Sequence, residues 1–179
     1  MGKHCTIKGY LFGKLCTQSW RVDNIADAEI LAVPADCDER TIGGLDGMFS
    51  NKKRIVRRLK EGECEKLLSQ RSAVKTSENG EFCIDEPNYQ GQCLDIYVRI
   101  NFVPLPKHPV KQVQLKPPVC LYLGRYQPVR LGDTWYLMAI IPQAIWCDIK
   151  RLADAWTIVG RVVAADNGDP LGNLTVTAF

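Results

Sequence analysis

One stretch of this chain occurs twice, and that repetition limits its fold more than any composition does, because a repeat defines the building unit. Near the start the chain reads Cys5-Thr6-Ile7-Lys8-Gly9-Tyr10-Leu11-Phe12, and near the end Trp156-Thr157-Ile158-Val159-Gly160-Arg161-Val162-Val163. Each copy reads as a Thr-Ile-x-Gly-x-aliphatic strand. At period two, Cys5, Ile7, Gly9 and Leu11 share one face of the first copy; Trp156, Ile158, Gly160 and Val162 share it in the second. A glycine inside a strand marks a bulge or the close approach of another group, so its return at one register predicts a packing constraint. A second shared stretch follows each copy, with residues 27–33 lining up with residues 173–179.

The chain has 179 residues and is 46% hydrophobic, enough for one sizeable core or for one core and part of another. Its ten prolines and fourteen glycines imply many turns and short strands. A net charge of +3 is too small to imply a nucleic-acid or membrane partner, so only local clustering can argue for one. No run of about 18 apolar residues is present, so no membrane span is expected. Residues 1–5 pass straight into a strand with no apolar leader, which predicts a chain that is cytoplasmic at synthesis. Met1-Gly2 with Thr6 meets a loose acylation pattern, with Cys5 as a second point, although Cys5 also falls on the inward phase of the strand. Eight cysteines are spread along the chain with no Cys-x-x-Cys pair. Free buried thiols are therefore expected, with Cys83 and Cys93 as the pair to bridge in an oxidising compartment.

Along the chain, residues 13–24 read as a long connection and residues 27–33 as a returning strand. Residues 34–75 break the β rhythm and read as an insertion, with a helix from Asn51 to about Gln70 weakened by Gly62. Six of the ten residues from 51 to 60 are basic: Lys52, Lys53, Arg54, Arg57, Arg58 and Lys60. On a helix they could face phosphate or an acidic partner; Glu61, Glu63 and Glu65 follow at once, however, and no aromatic residues interleave for stacking. Asn79-Gly80 supplies a tight turn. Ile96, Val98, Ile100 and Phe102 alternate with Asp95, Tyr97, Arg99 and Asn101 as a half-buried antiparallel strand. Residues 104–111 read as a rigid, extended, proline-rich connector. Residues 119–123 read as a further strand, residues 124–133 as turns, and the apolar run 135–141 fits either class. A helix is expected over 142–155, with Pro142 in its first turn. Ile145, Ile149, Leu152 and Trp156 fall on its stripe at i, i+4, i+7 and i+11. Trp156 is also the first inward residue of the second copy, so residues 142–156 should hold the two repeats in a fixed orientation. Asp166-Asn167-Gly168-Asp169-Pro170 is a concentrated turn signal.

Gly160, Gly168-Asp169-Pro170-Leu171 and Val176-Thr177-Ala178, together with Gly9, Ile30-Leu31-Ala32, Thr76, Gly80 and Phe82, resemble the carboxypeptidase-regulatory-like modules. These are relatives of the transthyretin (prealbumin-like) β-sandwich, and the resemblance covers about half the chain. It implies a mainly β fold: an antiparallel transthyretin-like sandwich over 1–141 with the 34–75 insertion, a connecting helix over 142–155, and the first two strands of an incomplete second module over 156–179. Fold alone does not imply an activity. Enzymes similar in fold need motifs that are not found here. Intradiol dioxygenases carry a His-x-His pair with two tyrosines on iron, whereas this chain has only His4 and His108; the Tyr-Arg-Gly-Ser ending of hydroxyisourate hydrolases is also missing. A nucleophilic Cys needs a basic partner, and the spacing does not support His108 beside Cys120.

The expectation is a non-catalytic structural or adaptor protein with no cofactor and no metal. Its partners would be other protein subunits, copies of itself included, in a larger bacterial or phage-like assembly. The second module stops after two strands, which predicts either a longer chain or completion of its sheet by another chain. Two alternatives stay open: a polyanion or nucleic-acid binder working through the basic helix 51–60, and a cell-surface ligand-binding module.

Overall fold

The computed structural model describes residues 4–16, 21–47, 55–105, 108–153 and 162–172. In chain order the elements are β1 (Ile7–Lys14), β2 (Val22–Asn24), β3 (Glu29–Ala35), β4 (Ile42–Gly43), β5 (Arg57–Arg58), α1 (Glu61–Gln70), β6 (Val74–Lys75), β7 (Glu81–Ile84), β8 (Cys93–Leu105), β9 (His108–Gln127), β10 (Val129–Leu131), β11 (Thr134–Ile141) and α2 (Gln143–Ala153). They form a mainly β fold of two sheets. The first sheet runs β10-β11-β1-β2, with β7 also on β1, and the second runs β4-β9-β8-β3-β6, with β5 also on β9.

The first Thr-Ile-x-Gly strand is the centre of the first sheet. β1 pairs in parallel with β11 along Ile7–Gly13, and its other edge is shared: β7 takes Ile7–Tyr10 and β2 takes Phe12–Lys14. Ile7, Gly9, Leu11 and Gly13 face inward, as the period-two pattern requires. The glycines explain themselves by what lies on them. Phe82, directly across from Gly9 in the ladder, lays its ring where a Gly9 side chain would be. A Cβ on Gly13 would come within 2.5 Å of the Trp146 indole. Thr6 is buried as well, and its hydroxyl oxygen accepts the Glu86 N–H at 3.2 Å. Facing this layer across the core are Ile30, Ile96, Val98, Ile100, Val119, Leu121 and Leu123 of the second sheet, all within one buried cluster.

Several expectations hold. The turn at Asn79-Gly80 forms, with Gly80 at φ 74° and its N–H donating to the Ser77 carbonyl at 2.9 Å. Residues 27–33 return as a strand, held at its start by Thr76, whose hydroxyl donates to the Ile25 carbonyl at 2.7 Å and accepts from the Ala28 N–H at 3.0 Å. The 166–170 turn also forms, closed by a bridge between Val163 and Pro170. Most of the second repeat, Trp156 included, lies outside the described residues.

Other expectations are corrected. The connection 13–24 holds the end of β1 and the returning strand β2. The alternation in β8 is as read through Ile100. A register irregularity between Ile100 and Phe102 then turns Val103 inward in place of Phe102. The proline-rich stretch 104–111 is no connector: Pro104 pairs with Gln112 and Leu105 with His108 in a hairpin. Pro104 is tolerated there because it lies near the end of β8 rather than in a fully paired central run. The helix expected from Asn51 begins only at Glu61. Before it, Val56 packs on the core between the sheets and Leu59 is buried beneath α1. One helix could not serve both sites, so residues 57–58 extend as a strand on β9.

The cysteines are the largest correction. None is a free thiol and Cys83 does not bridge Cys93; the pairs are Cys5–Cys83, Cys16–Cys147, Cys37–Cys93 and Cys64–Cys120. Each joins segments brought within 5.2–6.1 Å at Cα by sheet pairing or helix docking, across 56 to 131 residues of sequence. Spacing along the chain does not reveal such long-range pairs. Cys64–Cys120 pins α1 to the outer face of the second sheet, beside Leu59, Leu67 and Leu68.

Two stability predictions follow from this packing. Gly9→Ala should lower unfolding free energy by about 1–3 kcal/mol through overpacking against Phe82. Gly62→Ala, on an open surface of α1 with nothing within 4 Å, should raise it by about 0.5–1 kcal/mol; urea unfolding of the two variants shows the opposite signs. For the disulfides, no cysteine of the folded protein should take up an alkylating reagent before reduction, as read by mass spectrometry. Replacing Cys64 and Cys120 together by Ser, which opens a loop of 56 residues, should cost about 4 kcal/mol.

Candidate functional site

Of the ten residues singled out for interaction, Lys52, Lys53, Arg54 and Trp156 lie outside the described residues. The other six fall into two groups. The basic residues do not form one helical face. Arg57 and Arg58 lie side by side in β5, antiparallel to Tyr122 and Leu121 of β9, and Lys60 stands at the N-cap of α1. Arg57 is drawn towards α1, its Nη1 3.2 Å from Glu63 Oε2. Arg58 forms no ion pair among the described residues.

The helical stripe is partly as read. α2 buries Ile149, and Ile145 packs on the core, but Leu152 is 50% exposed. The fully buried residue is Trp146, off the expected stripe. A partly buried polar contact decides this rotation. The Trp146 indole N–H and the Lys150 ammonium both donate to Asp23 Oδ2 at 2.9 Å, and Cys147 is bonded to Cys16. Those anchors turn the 146/150 edge of α2 towards β1 and β2 and leave Leu152 outward.

Arg58 and the α2 stripe nevertheless meet. Between β5 and α2 lies a groove of about 350 Å³ with Val119 and Leu121 at its floor. Val56 and Arg58 form one wall, and Ile145, Asp148 and Leu152 the other. Ile55, 48% exposed, precedes Val56 on the same strand approach. The groove is apolar at its base, with a guanidinium contributed by β5 and a carboxylate by α2.

The outer face of the second sheet carries two polar networks. Asp95 accepts the Tyr122 hydroxyl at 2.7 Å and two Arg125 nitrogens at 3.0 and 3.1 Å; Arg125 also reaches Asp38 at 3.0 Å and the Asp36 carbonyl at 2.7 Å. The network thereby holds the segment beside Cys37 onto the sheet. Burial, reinforced by the bond to Asp95, pushes the Tyr122 hydroxyl above the ordinary phenol range. In the second network Glu29 accepts from Arg99 and from Asn101. Burial alone would raise the Glu29 carboxyl, but the hydrogen bonds and the Arg99 charge outweigh it and hold the carboxyl below its usual value of 4.5. A carboxyl depressed on folding adds stability that is present above its unfolded value and lost as pH falls through the folded one. Melting temperature should therefore fall as pH drops below about 4.5, and part of that fall should vanish in Glu29→Gln, as a thermal series at stepped pH will show.

For nucleophilic chemistry the thiols are spent. Cys120, the residue weighed beside His108, is bonded to Cys64. Among the described residues no three His, Cys, Asp or Glu side chains gather as a metal site, and no helix is long and apolar enough to cross a membrane. A further concavity that sequence pattern does not reveal is built around Trp135, where the β10–β11 hairpin meets the loop after β7. The signal in the sequence is an aromatic one residue beyond the Gly132-Asp133 turn. It was obscured because Trp135 also opens the apolar run 135–141 and reads as core. No protein family, no curated protein and no solved structure matches this chain.

Proposed function

We propose that this chain is a non-catalytic structural or adaptor module, built on a transthyretin-like sandwich and joined to other protein subunits through the groove between β5 and α2. The observation that carries this reading is the groove itself. Its apolar floor and walls are flanked by the exposed Leu152 and Ile55, and its rim holds Arg58, which has no internal ion-pair partner among the described residues. An apolar centre with a charged rim is the composition of a protein–protein contact. A two-fold contact brings each patch onto its like, which sets Arg58 opposite the other copy's Asp148, a carboxylate held within its own chain only by the exposed Arg151 at 3.2 Å. The polyanion alternative loses support, since Arg57 is engaged by Glu63 and the residues from 57 to 60 are not helical.

The place of action is revised from the expectation of a cytoplasmic chain. Four disulfides that engage all eight cysteines suit an oxidising compartment, because cytosolic thiols are kept reduced. Together with the lack of a free thiol, this favours an extracellular or similarly oxidising setting for the module.

Sedimentation over a range of protein concentrations tests the contact. The chain should self-associate. Leu152→Asp and Arg58→Glu should each weaken association about tenfold or more, the loss expected when a contact worth about 1.4 kcal/mol is removed. Both side chains are exposed, so thermal unfolding of the monomer should be unchanged. A wild-type chain that sediments as a monomer throughout would overturn self-association through this groove.

A further inference from the structure

The cleft around Trp135 is assembled from three separated parts of the chain. His4 and Thr6 come from the approach to β1, Pro87, Tyr89 and Gln90 from the β7–β8 loop, and Arg130, Asp133 and Trp135 from the β10–β11 hairpin. Its volume of about 420 Å³ lies within the range of small-molecule sites, about 300–1,000 Å³. The indole is held in place before any ligand arrives. Tyr89 meets it edge-on, with centroids 5.2 Å apart and planes at 86°. The Trp135 backbone N–H donates to the Thr6 carbonyl at 3.0 Å. Gly91, at φ 92°, leaves room for the ring, because a Cβ there would stand 2.7 Å from it. Tyr89 is fixed in turn by donating its hydroxyl to the Gln92 carbonyl.

The rim is composed differently. Arg130 stands over the indole at 5.9 Å and gives its Nε–H to the Gly132 carbonyl at 3.1 Å. Asp133 lines the same cleft, yet neither it nor Arg130 enters an ion pair among the described residues. His4 and Gln90 complete the rim, both exposed. A cation and an anion sharing one cleft without pairing leave hydrogen-bonding capacity directed at something else. The rim supplies donors from Arg130 and acceptors from Asp133, while the Gln90 amide and the His4 imidazole offer both. One positive and one negative group cancel, so the site does not select an ion.

From this we infer that the cleft binds a neutral pyranose sugar, with an apolar C–H face against Trp135 and its ring hydroxyls on the Arg130, Asp133, Gln90 and His4 rim. A sugar hydroxyl both donates and accepts, which is what a mixed rim requires. The part of the half-buried indole that lines the cleft beside the Arg130 guanidinium offers an apolar surface to the C–H face of such a ring. This site is separate from the groove between β5 and α2 and does not depend on it.

The test is a nitrogen–proton correlation titration of the full chain with the methyl glycosides of β-glucose, β-galactose and α-mannose, and with N-acetylglucosamine. The indole N–H signal of Trp135 is assigned by its loss in Trp135→Phe. At least one sugar should shift that signal. Asp133→Asn and Arg130→Gln should each weaken the binding about tenfold or more, as expected for a lost hydrogen bond to a charged group. Thermal unfolding should not change, and Gln90→Ala gives a further rim variant if either substitution disturbs the hairpin. No shift with any of the four sugars overturns the inference, as does binding that survives all the rim substitutions. A shift produced by sodium benzoate or phosphate but by none of the sugars would make this an anion site and overturn it equally.

Discussion

Two aromatic rings seated on two glycines of β1 hold this molecule together. β1 is bordered by β11 on one side and by β7 and β2 on the other, so its inward face lies at the middle of the first sheet. On that face Gly9 receives Phe82 and Gly13 receives Trp146. The first contact ties the β7 hairpin to the sheet, and the second lets α2 close one end of the core. Interiors are packed at the density of organic crystals, so a side chain at either glycine would displace a ring rather than fill space. The position of α2, and with it the wall of the groove beside β5, depends on Gly13 being bare.

A second level of constraint is covalent. The margins of the second sheet are built from short pieces: two residues each for β4, β5 and β6. Strands this short contribute few ladder bonds, and the insertion that contains them has its own small cluster of Leu59, Cys64 and Cys120. Cys64–Cys120 and Cys37–Cys93 fasten the insertion to β8 and β9, while Cys5–Cys83 and Cys16–Cys147 fasten the two ends of β1. Backbone bonding adds a strap across the sheets. Gly44 donates to Gln127 of the second sheet and accepts from Met138 of the first, both at 2.7 Å. The insertion 34–75 is therefore a clasp between the layers rather than an appendage.

Both concavities considered for binding lie at seams where elements distant in sequence are brought together. The groove joins a strand of the insertion to α2, and the Trp135 cleft joins three loops at one end of the first sheet. A rigid, cross-linked scaffold with binding groups on its seams and loops is a common arrangement, because the scaffold fixes positions that a loop alone would not hold. The polar networks of Asp95 and Glu29 on the outer face are of another kind. Their charges are satisfied internally, and they hold segments in place.

Much of the fold was legible in local pattern. The period-two faces of β1 and of β8 as far as Ile100, the turns at Gly80 and at 166–170, part of the helical stripe of α2 and the need for a bare residue at Gly9 all follow from rules that act over a few residues. The binding residues were legible only in part: Arg58, Ile145, Ile149 and Leu152 were named, but as members of two unrelated groups, and the cleft residues around Trp135 were not named at all. Phe102 was read as inward because the pattern carries no sign of the irregularity after Ile100. Trp146 was passed over because its partner, Asp23, lies 123 residues away. The disulfide pairs and the strand state of Arg57–Arg58 were hidden for the same reason. Sequence by itself determined the strand periods, the turns and the amphipathic helix, since these depend on backbone sterics and on alternation between water and core. Tertiary structure alone decided which cysteines meet, which way α2 turns and which side chains share a cleft, because those outcomes depend on contacts between residues that the chain's own spacing keeps far apart.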